Sequence, residues 1–209
     1  MPSKRGERRR RGGRVREEVR QILRATYAAD ETVPRGLVDH GVVLDVVDTN
    51  GSDSHPGFPS DPESESGDEL PVELVFDRIG LHVDPGDIVA FRVETELHTV
   101  TSFAPKYSEE ELELPWRVPT EYAFTSPPVV GGDVWRYRFT DPGVYDLLCL
   151  PHVVLGMVMR VVVSTDGRAP EDPYDALDIP NAGTVLGAEQ LKPSNIVGEG
   201  STGWDELAL

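Results

Sequence analysis

The sequence predicts an antiparallel β-sandwich as the main body of this protein. From residue 71 onward, short runs such as DVWRYRF at 133–139 alternate apolar and polar residues, with the period of two that is typical of half-buried strands. Proline–glycine turns separate these runs, for example at 85–86 and 142–143. Short strands joined by such turns favour an all-β fold with two sheets packed face to face.

The 209 residues divide into four segments. They are a basic N-terminal segment with an amphipathic helix at 1–29, a first strand and an acidic loop at 30–70, the sandwich domain at 71–164, and a C-terminal extension at 165–209. The C-terminal extension is expected to be loose, with one short helix near 184–191.

The two N-terminal segments are predicted from their periodicity. Residues 14–29 have apolar side chains at helical spacing, which predicts a short helix. These side chains are Val15, Val19, Ile22, Leu23 and Tyr27. GVVLDVVD at 41–48 reads as a strand, and the acid-rich stretch at 49–69 has no apolar periodicity, as expected of a loop.

The charge of the chain is strongly negative and unevenly distributed. The formal net charge is −17 at pH 7. Residues 1–24 hold ten Lys/Arg and three Asp/Glu, which leaves ten Lys/Arg against 34 Asp/Glu in the rest of the chain. So acidic a body repels phosphate backbones, and nucleic acid is therefore not expected as a partner. A large negative net charge keeps a protein soluble in concentrated salt, so this charge indicates a halophilic source. The alternative is an ordinary acidic protein.

The most informative stretch is YDLLCLPHVVLGM, which holds the only cysteine of the chain. A single cysteine cannot form an internal disulfide, so Cys149 is an inert buried thiol, a nucleophile or a metal ligand. His152 and Met157 follow it closely enough to share one loop between two strands. A thiolate, an imidazole and a thioether form the soft donor set that selects copper, and a blue-copper centre needs one more imidazole. His98, at the end of a preceding strand, is the natural supplier.

Each of these residues taken alone has a simpler interpretation. Cys149 and Met157 would then be core-packing residues, and His152 a loop residue. A nucleophilic cysteine–histidine pair is also compatible with the spacing, but a buried thiol between leucines has a raised pKa unless a metal binds it. The combination of residue types at this spacing favours the metal site.

At these positions the chain resembles a known family. PGDIVAFRVETELHTVT, followed later by DPGVYDLLCLPHVVLGMVMRVVV, is similar to the plastocyanin/halocyanin group of the cupredoxins, which are type 1 blue copper proteins. The resemblance covers roughly residues 71–164. It implies a cupredoxin-type Greek-key sandwich, a halophilic archaeal source and one type 1 copper ion. The copper ligands that it implies are His98, Cys149, His152 and Met157.

Two features depart from the family pattern. Met159 stands where many relatives have glycine, so a second thioether lies near the site and the axial position is open between Met157 and Met159. Leu147 and Leu148 stand where an aromatic residue is often found. Neither departure removes a ligand.

The resemblance implies a protein that carries single electrons between redox partners by Cu(I)/Cu(II) cycling. The alternative is a copper-binding protein for metal delivery or storage, which an exposed segment rich in methionine and histidine would favour, and the sequence has none. An enzyme is not expected. Multicopper oxidases and copper nitrite reductases need further ligands, including His-x-His pairs, and none of the five histidines forms such a pair.

The expected partners are redox proteins, among them membrane-bound respiratory components, and the protein is expected to be a monomer. The basic helix at 14–29 could contact an anionic membrane surface. The family usually works at the outer face of the cytoplasmic membrane. The chain shows neither a cleavable signal peptide nor a long apolar run, so its sequence leaves the location open.

Overall fold

Two β-sheets form the body of the structure, a computed structural model that describes residues 38–48, 72–95 and 97–209. Its strands are β1 (His40–Asp48), β2 (Val72–Asp77), β3 (Gly80–Val83), β4 (Ile88–Val93), β5 (Thr101–Ser102), β6 (Val134–Arg138), β7 (Gly143–Leu148), β8 (Val158–Val163) and β9 (Ser201–Thr202). The predicted N-terminal helix and acidic loop lie outside the described residues. Within the described ranges, no helix has the length and hydropathy needed to cross a membrane.

The strands divide between a four-stranded sheet, β2-β1-β4-β6, and a five-stranded sheet, β5-β7-β8-β3-β9. Most neighbours are antiparallel, but β1 pairs with β4 in parallel, and β3 pairs with β8 in parallel. The predicted β-sandwich is confirmed, and its sheets are mixed, since two of the strand pairs are parallel. The alternation of apolar residues reports which face of a strand is buried, and it does not report the direction of the neighbouring strand.

The same alternation decides which side chains enter the core. In β4, Val89 and Phe91 are fully buried, while Arg92 is exposed. In β8, by contrast, all residues are buried. One face of β8 therefore packs inside the sandwich, and the other is covered by residues 165–209, here called the C-terminal segment, whose helices contact this strand.

The C-terminal segment is packed against the sandwich. It contains α1 (Pro180–Leu186) and α2 (Pro193–Glu199), and its strand β9 pairs with β3. Its apolar side chains belong to the common core: Ile179, Ala182, Val185, Leu186, Leu191, Ile196, Trp204 and Leu207. The expectation of a loose extension is therefore wrong. These residues are spread over several short elements, so no single window of the sequence has a helical or strand period.

A buried group of charges ties the C-terminal segment to β7 and β8. The carboxylate of Asp146, which is fully buried, accepts hydrogen bonds from Arg160 at 2.7 and 3.0 Å and from Arg117 at 2.7 Å. Arg160 also donates to Asp172 at 2.6 Å, and Arg117 to the carbonyl oxygen of Asp175 at 2.7 Å. Because a buried ion without a partner is strongly destabilising, these groups stabilise the fold only as a complete set.

Candidate metal centre

Three atoms able to ligate a metal converge in the structure. The sulfur of Cys149 lies 3.6 Å from Nδ1 of His98 and 3.3 Å from Nδ1 of His152. All three lie within 4.8 Å of one another, and no other group of three or more His, Cys, Asp or Glu side chains in the described part of the chain is close enough to hold an ion. Three of the four residues predicted as ligands are thus brought together.

His98 is held in place by backbone pairing with Val129. The N–H of His98 donates to the carbonyl oxygen of Val129 at 2.9 Å, and the N–H of Val129 donates back at 2.8 Å. The His98 ring is fully buried and lies edge-on to the ring of His152, with the centroids 5.0 Å apart. Its Nε2 is 3.4 Å from Oγ1 of Thr95, so Nδ1 is the nitrogen that faces the sulfur.

The other predicted ligands belong to one loop, here called the ligand loop, which joins β7 to β8. Cys149 follows the last residue of β7, and a short 3-10 helix, Leu150–Leu155, comes next. The N–H of His152 donates to the carbonyl oxygen of Cys149 at 3.0 Å, and the N–H of Met157 donates to that of His152 at 3.2 Å. Gly156 ends the helix with a φ of 87°, a left-handed conformation that glycine adopts without steric cost.

Thr99 fixes both the sulfur and the start of the ligand loop. Its backbone N–H donates to Sγ of Cys149 at 3.3 Å, and its Oγ1 accepts the N–H of Leu150 at 2.8 Å. A hydrogen bond to a thiolate favours the charged form of the thiol, which is the form that ligates a metal. Thr99 was not predicted from the sequence, where its only signal is its place next to a predicted ligand.

Burial controls the protonation of the three donors. Desolvation, with a smaller effect of the neighbouring His152, lowers the pKa of His98 to about 4 against the opposing influence of Asp45. Desolvation also lowers the pKa of His152, so both imidazoles are neutral at neutral pH, as metal ligation requires. It raises the pKa of Cys149 to about 11, in spite of the hydrogen bonds from Thr99. The thiol is therefore ionised only when a cation takes the place of its proton.

The strand register distinguishes the two candidate axial methionines, which are both buried. The N–H of Cys149 donates to the carbonyl oxygen of Met157 at 3.0 Å, so these two residues lie opposite each other. Met159 is paired with Leu147. Residues two apart on a strand share a face and are separated by about 7 Å along it. The register therefore favours Met157 as the neighbour of the cysteine sulfur.

Two further histidines contact side chains away from the donor cluster. Nε2 of His40 lies 2.8 Å from Oδ2 of Asp87, and Nε2 of His82 lies 3.0 Å from Oγ of Ser164. His55 lies outside the described residues.

The chain matches one protein family over the region that contains the site. Residues 69–164 match the model of a family described as copper binding proteins of the plastocyanin/azurin family. The matched region includes all four predicted ligands and ends just after β8, before the C-terminal segment. The family match and the donor cluster together confirm copper as the cofactor expected from the sequence.

Individual relatives are similar over part of the chain. A protein of Rhizobium leguminosarum bv. viciae, assigned by its name to the pseudoazurins, is 32% identical over 108 residues, which are 52% of this chain and 62% of the relative. This chain thus spans less than two thirds of that relative's length. A purple cupredoxin from Nitrosopumilus maritimus is 20% identical, with a TM-score of 0.36, and 60% of this chain and 100% of that one are covered. A mutant of amicyanin in its reduced Cu(I) form is 26% identical, with a TM-score of 0.33, and the match covers 43% of this chain and 73% of that one.

Proposed function

We propose that residues 69–164, a cupredoxin domain of the plastocyanin/azurin family, carry single electrons between redox partners through one type 1 copper ion. The observation on which this proposal depends is the convergence of the Cys149 sulfur with two imidazole nitrogens. One thiolate and two imidazoles, with a weak axial thioether, are the donor set of type 1 copper. When bound, copper supplies a one-electron couple between Cu(I) and Cu(II).

The surroundings of the donors favour electron transfer over release of the metal. Cys149 and His98 are fully buried, and backbone hydrogen bonds from Thr99 and Val129 hold them in place. Ligands that are fixed before the metal binds keep one geometry in both oxidation states. Little rearrangement then accompanies each electron, which a carrier needs and a metal-delivery protein does not.

We propose that a redox partner docks where His152 approaches the surface. The His152 side chain is half-buried, and Pro151 before it is exposed. Val154 in the same loop and Leu97, which precedes the ligand His98, are each 43% exposed. An apolar surface of this kind suits a small, short-lived contact, as electron-transfer complexes require. The proposed partner is a membrane-bound respiratory component.

Optical and electrochemical measurements on the copper-loaded protein test the function. We expect an intense thiolate-to-Cu(II) band that disappears on reduction, and a reversible one-electron wave. Cys149→Ser should abolish the band, because a hydroxyl is a hard and poor substitute for a thiolate. His82→Gln is the matched control, since this imidazole contacts Ser164 rather than the donor cluster. A colourless copper complex without reversible cycling would contradict the proposal and would indicate delivery or storage.

The outer face of the cytoplasmic membrane is the proposed place of work, because the family usually meets its membrane-bound partners there. Protease treatment of intact cells, followed by detection of the protein, tests this location. Protection from the protease until the cells are lysed would contradict it.

A further inference from the structure

We propose that the C-terminal segment acts as a clamp on the ligand loop, with Asn181 as the residue that positions the loop between His152 and Met157. This inference rests on the copper-carrier function proposed above. The family match ends at residue 164, so the clamp lies beyond the part of the chain that resembles the family.

One part-buried hydrogen bond joins the clamp to the loop, in addition to packing contacts. Asn181 is only 3% exposed, and its Nδ2 donates to the carbonyl oxygen of Val154 at 3.0 Å. Val154 lies in the 3-10 helix between His152 and Met157. The last carbonyl groups of a helix receive no hydrogen bond from an N–H group of that helix, so they need a donor from outside. Asn181 supplies this partner at the middle of the ligand loop.

Packing fixes the position of Asn181 itself. Ile179, two residues before it, and Ala182, directly after it, are buried in the common core, as is Val185 one turn further along α1. The helix contacts both the 3-10 helix of the ligand loop and β8. Because these apolar contacts hold the amide of Asn181 in place, the hydrogen bond restrains the loop rather than the helix.

The segment is also tied to β7, the strand that leads into Cys149. Arg160 joins the buried carboxylate of Asp146 on β7 to Asp172 of the C-terminal segment. The hydroxyl of Tyr174 donates to the carbonyl oxygen of Val144, also on β7, at 2.6 Å. The C-terminal segment therefore holds the strand before the cysteine and the loop after it at a fixed separation.

Loss of the Asn181 hydrogen bond should leave every ligand present but less well positioned. Outer groups that orient metal ligands typically contribute a factor of about 10–100 in metal affinity. We therefore expect copper to dissociate about tenfold faster from Asn181→Asp, which keeps the shape of the side chain but replaces the donor by an acceptor. The thiolate-to-Cu(II) band and the reduction potential should shift as well.

Hydrogen exchange of the ligand loop in the copper-free protein is the decisive measurement, because it does not depend on the metal. In Asn181→Asp, the amides of the loop should exchange about tenfold faster than in the wild type, since loss of this hydrogen bond favours local opening. The control is Asn195→Ala, which removes an amide hydrogen bond to the carbonyl oxygen of Glu189 within the C-terminal segment, away from the loop. This control should leave loop exchange, band and potential unchanged.

The outcomes separate the clamp from the function on which it rests. Unchanged loop exchange in Asn181→Asp would overturn the clamp, even if the wild-type protein is blue. Faster loop exchange in Asn181→Asp, together with a wild-type protein that gives no blue band, would keep the restraint on the loop and overturn the electron-carrier function. If Asn181→Asp does not fold, Asp172→Asn, which weakens the tie to Arg160, should increase loop exchange in the same direction. No increase there would also overturn the clamp.

Discussion

Cys149 and Met157 are paired through their backbones, with the N–H of Cys149 donating to the carbonyl oxygen of Met157 at 3.0 Å. This bond extends the antiparallel register of β7 and β8 by one pair beyond Leu148 and Val158. The strongest and the weakest of the expected copper ligands are therefore placed by the sheet itself. The loop between them has to position only His152.

Met157→Leu should keep copper bound and raise the reduction potential. Removal of a weak axial donor destabilises Cu(II) more than Cu(I), and a tenfold change in this preference corresponds to about 60 mV for a one-electron couple. Cyclic voltammetry of the copper-loaded variant measures the shift. Met159→Leu is the matched control, because Met159 is equally buried and pairs with Leu147 rather than lying opposite Cys149. A shift in the control and none in Met157→Leu would make Met159 the axial ligand.

Asp146→Asn should lower the free energy of unfolding by about 3–5 kcal/mol, because two buried guanidinium groups lose their shared negative partner. Urea unfolding of the copper-free protein measures this loss. Glu189→Gln, which removes an exposed ion pair with Lys192, should change the same quantity by less than about 1 kcal/mol. Similar losses of unfolding free energy in the two variants would show that the buried ion pairs stabilise the fold no more than an exposed pair does.

Gly80→Ala should destabilise the packing of the C-terminal segment on β3. A Cβ at this position would lie 2.9 Å from Cδ2 of Leu191 and 3.1 Å from Cγ1 of Ile196. Overpacking of this kind typically costs about 1–3 kcal/mol, and limited proteolysis should then cut the segment faster. Gly41→Ala on β1 is the control, since its Cβ would meet nothing within 4 Å. Equal proteolysis of the two variants would contradict the expected clash.

The thermal midpoint of unfolding should rise with salt. A net charge of −17 makes the folded chain repel itself, and the screening length falls from about 10 Å at 0.1 M to about 3 Å at 1 M salt. Calorimetry in potassium chloride measures the effect, with an uncharged osmolyte as the control for water activity. A midpoint that does not change between the two salt concentrations would leave the halophilic interpretation without support.

The strands and the ligand loop were predictable because their signals are local. A period of two in β4 marks the buried face of this strand without knowledge of the rest of the fold. Cys149, His152 and Met157 lie close enough along the chain for their spacing to imply a shared loop. His98 is distant in sequence, and its assignment needed the requirement of type 1 copper for a second imidazole together with the family resemblance.

The interior role of the charged residues could not be read from the sequence. Asp146, Arg117 and Arg160 resemble surface charges when they are considered singly, and only the tertiary structure shows that they neutralise one another in the core. The role of Asn181 was likewise not predictable from the sequence, because its partner is a backbone carbonyl group that no sequence pattern marks. The sequence also did not predict which strand pairs are parallel, because pairing involves two segments that are distant along the chain.

The short strand β9 also affects how copies of this protein behave toward one another. Ser201 and Thr202 cover the side of β3 that faces away from β8, and the N–H of His82 donates to the carbonyl oxygen of Gly200 at 2.8 Å. Without them, β3 would be an open sheet edge, which is a template for intermolecular β-pairing and aggregation. A two-residue strand exposes fewer backbone groups for such pairing than an uncovered β3 would. We therefore expect β9 to limit self-association at this edge.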